Sequence, residues 1–319
     1  MTCLPTGTPR CMPAGPAMSE TVTLRWRTVD VDGADMRVLE ASQPGTRKAD
    51  PLLFLHGWGL SPQTYAEGIS KLTSAGIRVI APCLPGFGGS DGPALNDVTM
   101  KQYAARVGRL LDVLDVEKPV FVVGHSFGGG VAIQLATDRP ERVRSLTLVS
   151  SVGGAPGRRG SLIKASWLRW ALGTLTELSP KAIAASTPGM LRAFIPNAIR
   201  RPVTMALTAR LALTVDLAAE AGALVKDGVP VLFVWGADDR LILPGALAHV
   251  AGDLPAEVVR GRHGWLMAQP EEFATLLQNA LVVHAMLERK TRGQAPVATK
   301  PPTLMELFPP ELRTARRNT

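Results

Sequence analysis

Apolar residues along this chain fall into short runs set apart by longer amphipathic stretches. TVTLRWRTVD and DMRVLEAS alternate apolar with polar positions, as half-buried strands do, and Asp32-Gly33 between them has the composition of a tight hairpin turn. PLLFLHG follows as a third strand. Farther along, IRVIAPCL (77–84), PVFVVGH (119–125), RVRSLTLVSS (142–151), VPVLFVWG (229–236) and AEVVRGR (256–262) are near-continuous apolar runs, the pattern of parallel strands covered on both faces. Helical periodicity lies between them at about 98–115, 127–138, 244–253 and 270–287. A hairpin followed by repeated strand–helix units predicts an α/β fold: a mostly parallel eight-stranded sheet with helices on both faces.

Three stretches stand outside this alternation. Residues 1–20 are rich in Pro and Gly with no apolar period and read as a disordered leader, with Met18 as a second candidate start. Residues 152–228 carry helical segments but no strand, so they form an insertion on the sheet, a helical cap between core segments 21–151 and 229–287. Ile163, Trp167, Trp170 and Ala171 share one helical face there by their spacing. Residues 288–319 are rich in Pro and charge and read as a basic, mostly irregular tail.

Composition narrows the class. Hydrophobic residues are 46% and charged residues 19% of 319, enough apolar material for a large core and too little charge for a solvated disordered chain. Three cysteines, two of them in the leader, supply no disulfide framework or metal-ligand spacing, which fits a reducing, cytoplasmic setting. No run approaches the roughly 18 apolar residues of a membrane span. The net charge of +8 is concentrated. Segment 152–228 has ten Lys/Arg against four Asp/Glu and the tail seven against three. That distribution argues for a local acidic carrier or anionic surface at the cap and against a nucleic-acid-binding domain.

The strongest chemical signal is Gly124-His125-Ser126-Phe127-Gly128-Gly129-Gly130, because it follows PVFVV and opens the helical run VAIQLATD. A G-x-S-x-G in that setting is a nucleophile elbow, with small residues that let strand and helix approach. It lacks the Lys-Ser/Thr of a phosphate-binding loop and the spacing of a dinucleotide fingerprint. A serine needs a base, and of five histidines His263 alone directly follows the last strand, at the carboxyl edge of the sheet. The acid that orients it comes from Asp238 or Asp239, after strand VPVLFVWG. The backbone N–H groups of Trp58 and Phe127 stand where an oxyanion hole needs donors.

LHGWG (55–59), LPGFGGSDG (84–92), GHSFGGG (124–130), WGADDR (235–240) and GRHGW with QPEEF (261–273) together resemble the α/β-hydrolase fold superfamily over about residues 21–287. The resemblance implies Asp239 as the acid and His263 as the base, with no metal or organic cofactor. It also implies a serine hydrolase of the carboxylesterase type, acting on a small-molecule ester or acyl substrate. The serine separates the chain from haloalkane dehalogenases and epoxide hydrolases, whose elbow carries an aspartate. Carbon–carbon-bond hydrolysis and cofactor-free haloperoxidase chemistry use the same triad and remain alternatives, as does a non-catalytic binding or interaction protein on this fold. HGWGL and LPGFGGS are similar to pimeloyl-acyl-carrier-protein methyl ester esterases, which hold an acidic carrier on basic cap residues. Trp167, Trp170, Met190, Phe194 and Trp265 are the expected pocket wall. Cys83 stands where the family usually has Asp, a departure that bears on how the following loop is ordered.

Overall fold

The computed structural model describes residues 22–154, 193–252, 254 and 256–291. Strands β1 (Thr23–Val31) and β2 (Ala34–Ser42) form the expected hairpin, with Val31 opposite Ala34. Asp32 and Gly33 take φ values of 54° and 77°, the two positive angles a twist-compatible two-residue turn requires. Then come β3 (Leu52–Leu55), β4 (Val79–Pro82), β5 (Val120–His125), β6 (Val143–Val149), β7 (Val231–Gly236) and β8 (Ala256–Val259). The eight strands lie in the order β1-β2-β4-β3-β5-β6-β7-β8, antiparallel from β1 through β2 to β4 and parallel from β4 to β8.

The helices are α1 (Ala66–Ser74), α2 (Met100–Val113), α3 (Phe127–Asp138), α4 (Pro202–Thr214), α5 (Ala218–Lys226), α6 (Pro244–Ala251), α7 (Trp265–Ala268) and α8 (Pro270–Thr291), and residues 193–200 are also helical. Two apolar clusters cover the two faces of the sheet. One joins it to α2, α3, α5 and α6 through residues such as Tyr103, Phe127 and Leu224; the other joins it to α1, α7 and α8 through Ile69, Trp265 and Phe273. Thr99 starts α2 sharply, because its side chain accepts from the Gln102 N–H.

Two expectations need correction. Helix α1 is not foreseen by periodicity, because only Ile69 and Leu72 supply large buried apolar side chains over its nine residues. Strand β8 is not covered on both faces: Val258 is exposed and only Val259 is buried, as suits the last strand of an open sheet.

Within 152–228, the described residues contain helices and no strand, but they are not all peripheral. Met205 and Ala209 of α4 and Leu224 of α5 are part of the first cluster, and the N–H of Val152 donates to the Ser126 carbonyl at 3.1 Å. The leader, the tail after residue 291, and Trp167, Trp170 and Met190 lie outside the described residues. No helix among the described residues is long and apolar enough to cross a membrane.

Candidate active site

Strand register sets the site. Leu55 of β3, Gly124 of β5, Leu148 of β6 and Phe233 of β7 stand side by side, so the loops that follow these strands leave from one carboxyl edge. Ser126 sits directly beyond β5 with φ 53° and ψ −116°, a conformation costly for a residue with a side chain. Its strain is held from both sides: its N–H donates to Val149 O at 2.9 Å, and its carbonyl accepts from Gly129 and Val152. The glycines of the elbow answer close contacts. A Cβ on Gly124 would lie 2.6 Å from the Gly128 carbonyl oxygen, and one on Gly128 would lie 2.3 Å from the Leu55 carbonyl oxygen.

Asp239 and His263 are brought together. His263 Nδ1–H donates to Asp239 Oδ2 at 2.9 Å, and Asp239 Oδ1 accepts from the N–H groups of Leu241 and Ile242 at 3.0 Å each. Both residues are buried. Burial would raise the Asp239 pKa, but the imidazole and the Ile242 N–H outweigh it and hold the carboxyl below its usual range. Asp238 is exposed, and its N–H donates to the Gly261 carbonyl.

His125, which immediately precedes the elbow serine, is a buried junction. Its Nε2 lies 3.2 Å from the His263 carbonyl oxygen, which can only accept, so Nε2 carries the proton and Nδ1 accepts from the Tyr65 hydroxyl at 2.8 Å. The Tyr65 oxygen in turn accepts from the Gly57 N–H at 3.1 Å. Desolvation pushes the His125 pKa down to about 3, so the ring is neutral. A single chain of hydrogen bonds thus links the turn after β3, the elbow and the backbone of His263.

His56 plays a comparable part on the next loop. Its Nε2 accepts from Leu84 N–H at 2.9 Å, which leaves Nδ1–H to donate to the Gly57 carbonyl at 2.8 Å. Burial lowers its pKa to about 4. Cys83 is buried, and burial pushes its thiol up to about 12. The loop at 83–92 is therefore ordered without an aspartate at position 83: Ser90 Oγ donates to the Cys83 carbonyl at 2.8 Å, and Tyr103 Oη to the Pro85 carbonyl at 2.9 Å.

Trp58 follows β3 on the turn His56–Gly59, with its indole N–H 2.9 Å from Thr208 Oγ1. Phe194 packs against that indole, with ring centroids 5.5 Å apart. Phe127 opens α3, whose first-turn N–H groups have no acceptor within the helix. Trp265 requires a correction. It belongs to the second apolar cluster, 6.1 Å from the Phe273 ring, because the chain turns from His263 into α7 and carries the indole to the α1 and α8 side of the sheet. It is core and does not form a pocket wall with Phe194. Among the described residues no group of three or more His, Cys, Asp or Glu is arranged to hold a metal ion.

A family model described as the alpha/beta hydrolase family matches residues 52–276. The chain is 33% identical over 288 residues to the dihydrolipoyllysine-residue acetyltransferase component of an acetoin cleaving system from Cupriavidus necator, covering 84% of this chain and 72% of that one. It is 28% identical to a putative non-heme haloperoxidase of Mycobacterium phage D29, over 73% of this chain and 87% of the relative. Among solved structures, a membrane phospholipase A described as a bacterial virulence factor matches with a TM-score of 0.63 and 25% identity, over 82% of this chain and 87% of that chain.

Proposed function

The chain belongs to the alpha/beta hydrolase family, and from that membership we propose that it is a serine hydrolase cleaving a carboxylic ester through an acyl-enzyme. Ser126 Oγ attacks the ester carbonyl while His263 Nε2 takes its proton. Asp239 keeps the Nδ1 proton in place and stabilises the imidazolium that forms. The backbone N–H groups of Phe127 and Trp58 receive the oxyanion, each worth about 3–4 kcal/mol of transition-state stabilisation by comparison with other enzymes. His263 then protonates the leaving alcohol, and water activated by the same imidazole releases the acid. The observation that carries this reading is the buried 2.9 Å Asp239–His263 pair, taken with the strained backbone of Ser126 directly beyond β5.

Residues 152–228 act as a cap over this site, with Phe194 against the oxyanion turn and the basic segment facing an acidic carrier or anionic surface. The setting is reducing and cytoplasmic. A second reading, in which hydrogen peroxide instead of water resolves the acyl-enzyme to a peracid, is favoured by the likeness to the phage haloperoxidase.

The test is labelling by a fluorophosphonate together with turnover of a p-nitrophenyl ester panel. Wild-type protein labels and turns over; Ser126→Ala loses the label and several orders of magnitude of turnover, roughly to the residual catalysis left by binding and the oxyanion hole. A Ser126→Ala protein that hydrolyses esters at the wild-type rate overturns the serine mechanism. Peracid formation that exceeds hydrolysis in peroxide and acetate selects the second reading.

A further inference from the structure

A cavity of about 420 Å³ opens near the oxyanion turn, and its lining includes Trp26, Arg37, Asn197, Arg200 and Arg201. Ser126, Asp239 and His263 are not among its lining residues. Its volume lies in the range of small-molecule pockets and is far larger than a bare ion needs.

The charge in this cavity is one-sided. Three arginines line it, and none of the described lining residues is acidic. Arg201 shares its charge with Asp91 at 3.3 Å. Arg37 and Arg200 have no carboxylate partner among the described residues; Arg37 is instead held by stacking, its guanidinium 4.5 Å from the centre of the Trp26 ring. A guanidinium fixed by an aromatic face keeps its donors available, because cation–π contact uses none of its N–H groups.

We propose that this cavity is a binding site for an organic phosphate, with the phosphate on Arg37 and Arg200 and the attached organic group along Trp26 and Pro196. A phosphate suits two guanidiniums better than a carboxylate does, since it carries more charge and enough acceptor oxygens for a paired contact from each. Asn197 ties the site to the turn after β3: its Nδ2 donates to the Gly59 carbonyl at 3.3 Å, and its Oδ1 accepts from Gly88 N–H at 3.2 Å. Helical residues 193–200 therefore carry both a wall of this cavity and, through Phe194, the packing on Trp58.

Titration calorimetry of the full-length Ser126→Ala protein with phenyl phosphate, and with benzyl alcohol as uncharged control, tests the site without any turnover. Phenyl phosphate should bind saturably at one site, about tenfold or more weakly in Arg37→Gln and in Arg200→Gln, as expected for lost charge-assisted hydrogen bonds, and benzyl alcohol should not bind. Circular dichroism matching the parent shows that each variant folds. Absence of saturable phenyl phosphate binding, or equal binding by parent and both variants, overturns the proposal. A p-nitrophenyl ester with a phosphate at the far end of its acyl chain identifies the source in the wild-type protein. A KM below that of the uncharged ester, lost in Arg37→Gln, makes the phosphate part of the substrate. Equal KM values with phenyl phosphate binding intact make it a separate ligand, and either result upholds the site.

Discussion

The Nε2 N–H of His125 donates to the backbone carbonyl of His263 at 3.2 Å, so the residue before the elbow serine holds the loop that carries the histidine. Tyr65 extends this grip to Gly57, and every atom in the chain of bonds has one consistent proton assignment. Tyr65→Phe keeps the ring packed against Phe54 while removing the oxygen, which leaves the Gly57 N–H and His125 Nδ1 both buried without a partner. Each such orphan costs about 1–3 kcal/mol. The variant should lose stability by that order in a urea titration and lose kcat with little change in KM, because the oxyanion turn and the His263 loop shift relative to each other. Wild-type kcat in a folded Tyr65→Phe protein would show that the chain of bonds is structural only.

Gly128→Ala places a methyl group where the Leu55 and His56 carbonyl oxygens already stand, at 2.3 and 2.7 Å. Backbone cannot rotate aside as a side chain can, so α3 must move off β3. The expected cost is about 3 kcal/mol or more, at or beyond the usual range for overpacking. Gly222→Ala is the control, since a Cβ there meets nothing within 4 Å. A Gly128→Ala protein as stable as the control would show that strand and helix are not in the close contact described.

The sheet was legible because its strands are short apolar runs at regular intervals, and the elbow because sterics restrict its flanking positions to small residues. The acid was legible only as a pair, Asp238 and Asp239, until the family resemblance separated them; the 2.9 Å contact to His263 falls on Asp239. The bonding roles of His125, His56 and Tyr65 have no local signature, because each has a partner distant in sequence: His263 lies 138 residues from His125, Leu84 28 from His56 and His125 60 from Tyr65. The place of Trp265 has no local signature either: it stands two residues after His263 in sequence, but the turn into α7 carries its indole into the second apolar cluster with Phe273.

The two buried histidines predict a pH dependence of stability. Burial sets the folded pKa of His56 at about 4 and that of His125 at about 3, both below the 6.5 of an exposed imidazole. Below pH 6.5 the unfolded chain binds protons that the folded chain refuses, so stability is fully present above that pH and falls as the pH is lowered toward the folded values. The slope reaches at most about 1.4 kcal/mol per pH unit for each ring. Asp239, with its carboxyl held low, adds a further loss only at more acid pH. Urea midpoints measured between pH 7.5 and 4.5 should fall progressively; a flat profile would mean that the rings take up protons in the folded state.

The two aspartates after β7 separate the roles of neighbouring carboxylates. Asp239 Oδ2 accepts from His263 while Oδ1 accepts from two backbone N–H groups, so the carboxylate is fixed on three sides and buried. Asp239→Asn keeps this shape but sets an amide beside Nδ1, and an amide N–H facing the ring favours the tautomer with the proton on Nε2, where it cannot take one from Ser126. By analogy with serine proteases the loss in turnover is up to about 10⁴-fold. Asp238 is exposed, and its N–H bond to the Gly261 carbonyl survives Asp238→Asn, so that variant should stay within about tenfold of wild type, as surface changes away from the chemistry do. Steady-state kinetics of the two variants on one ester decide the matter: a larger loss in Asp238→Asn would move the acid by one residue, and near-wild-type turnover in both would remove the carboxylate from the mechanism.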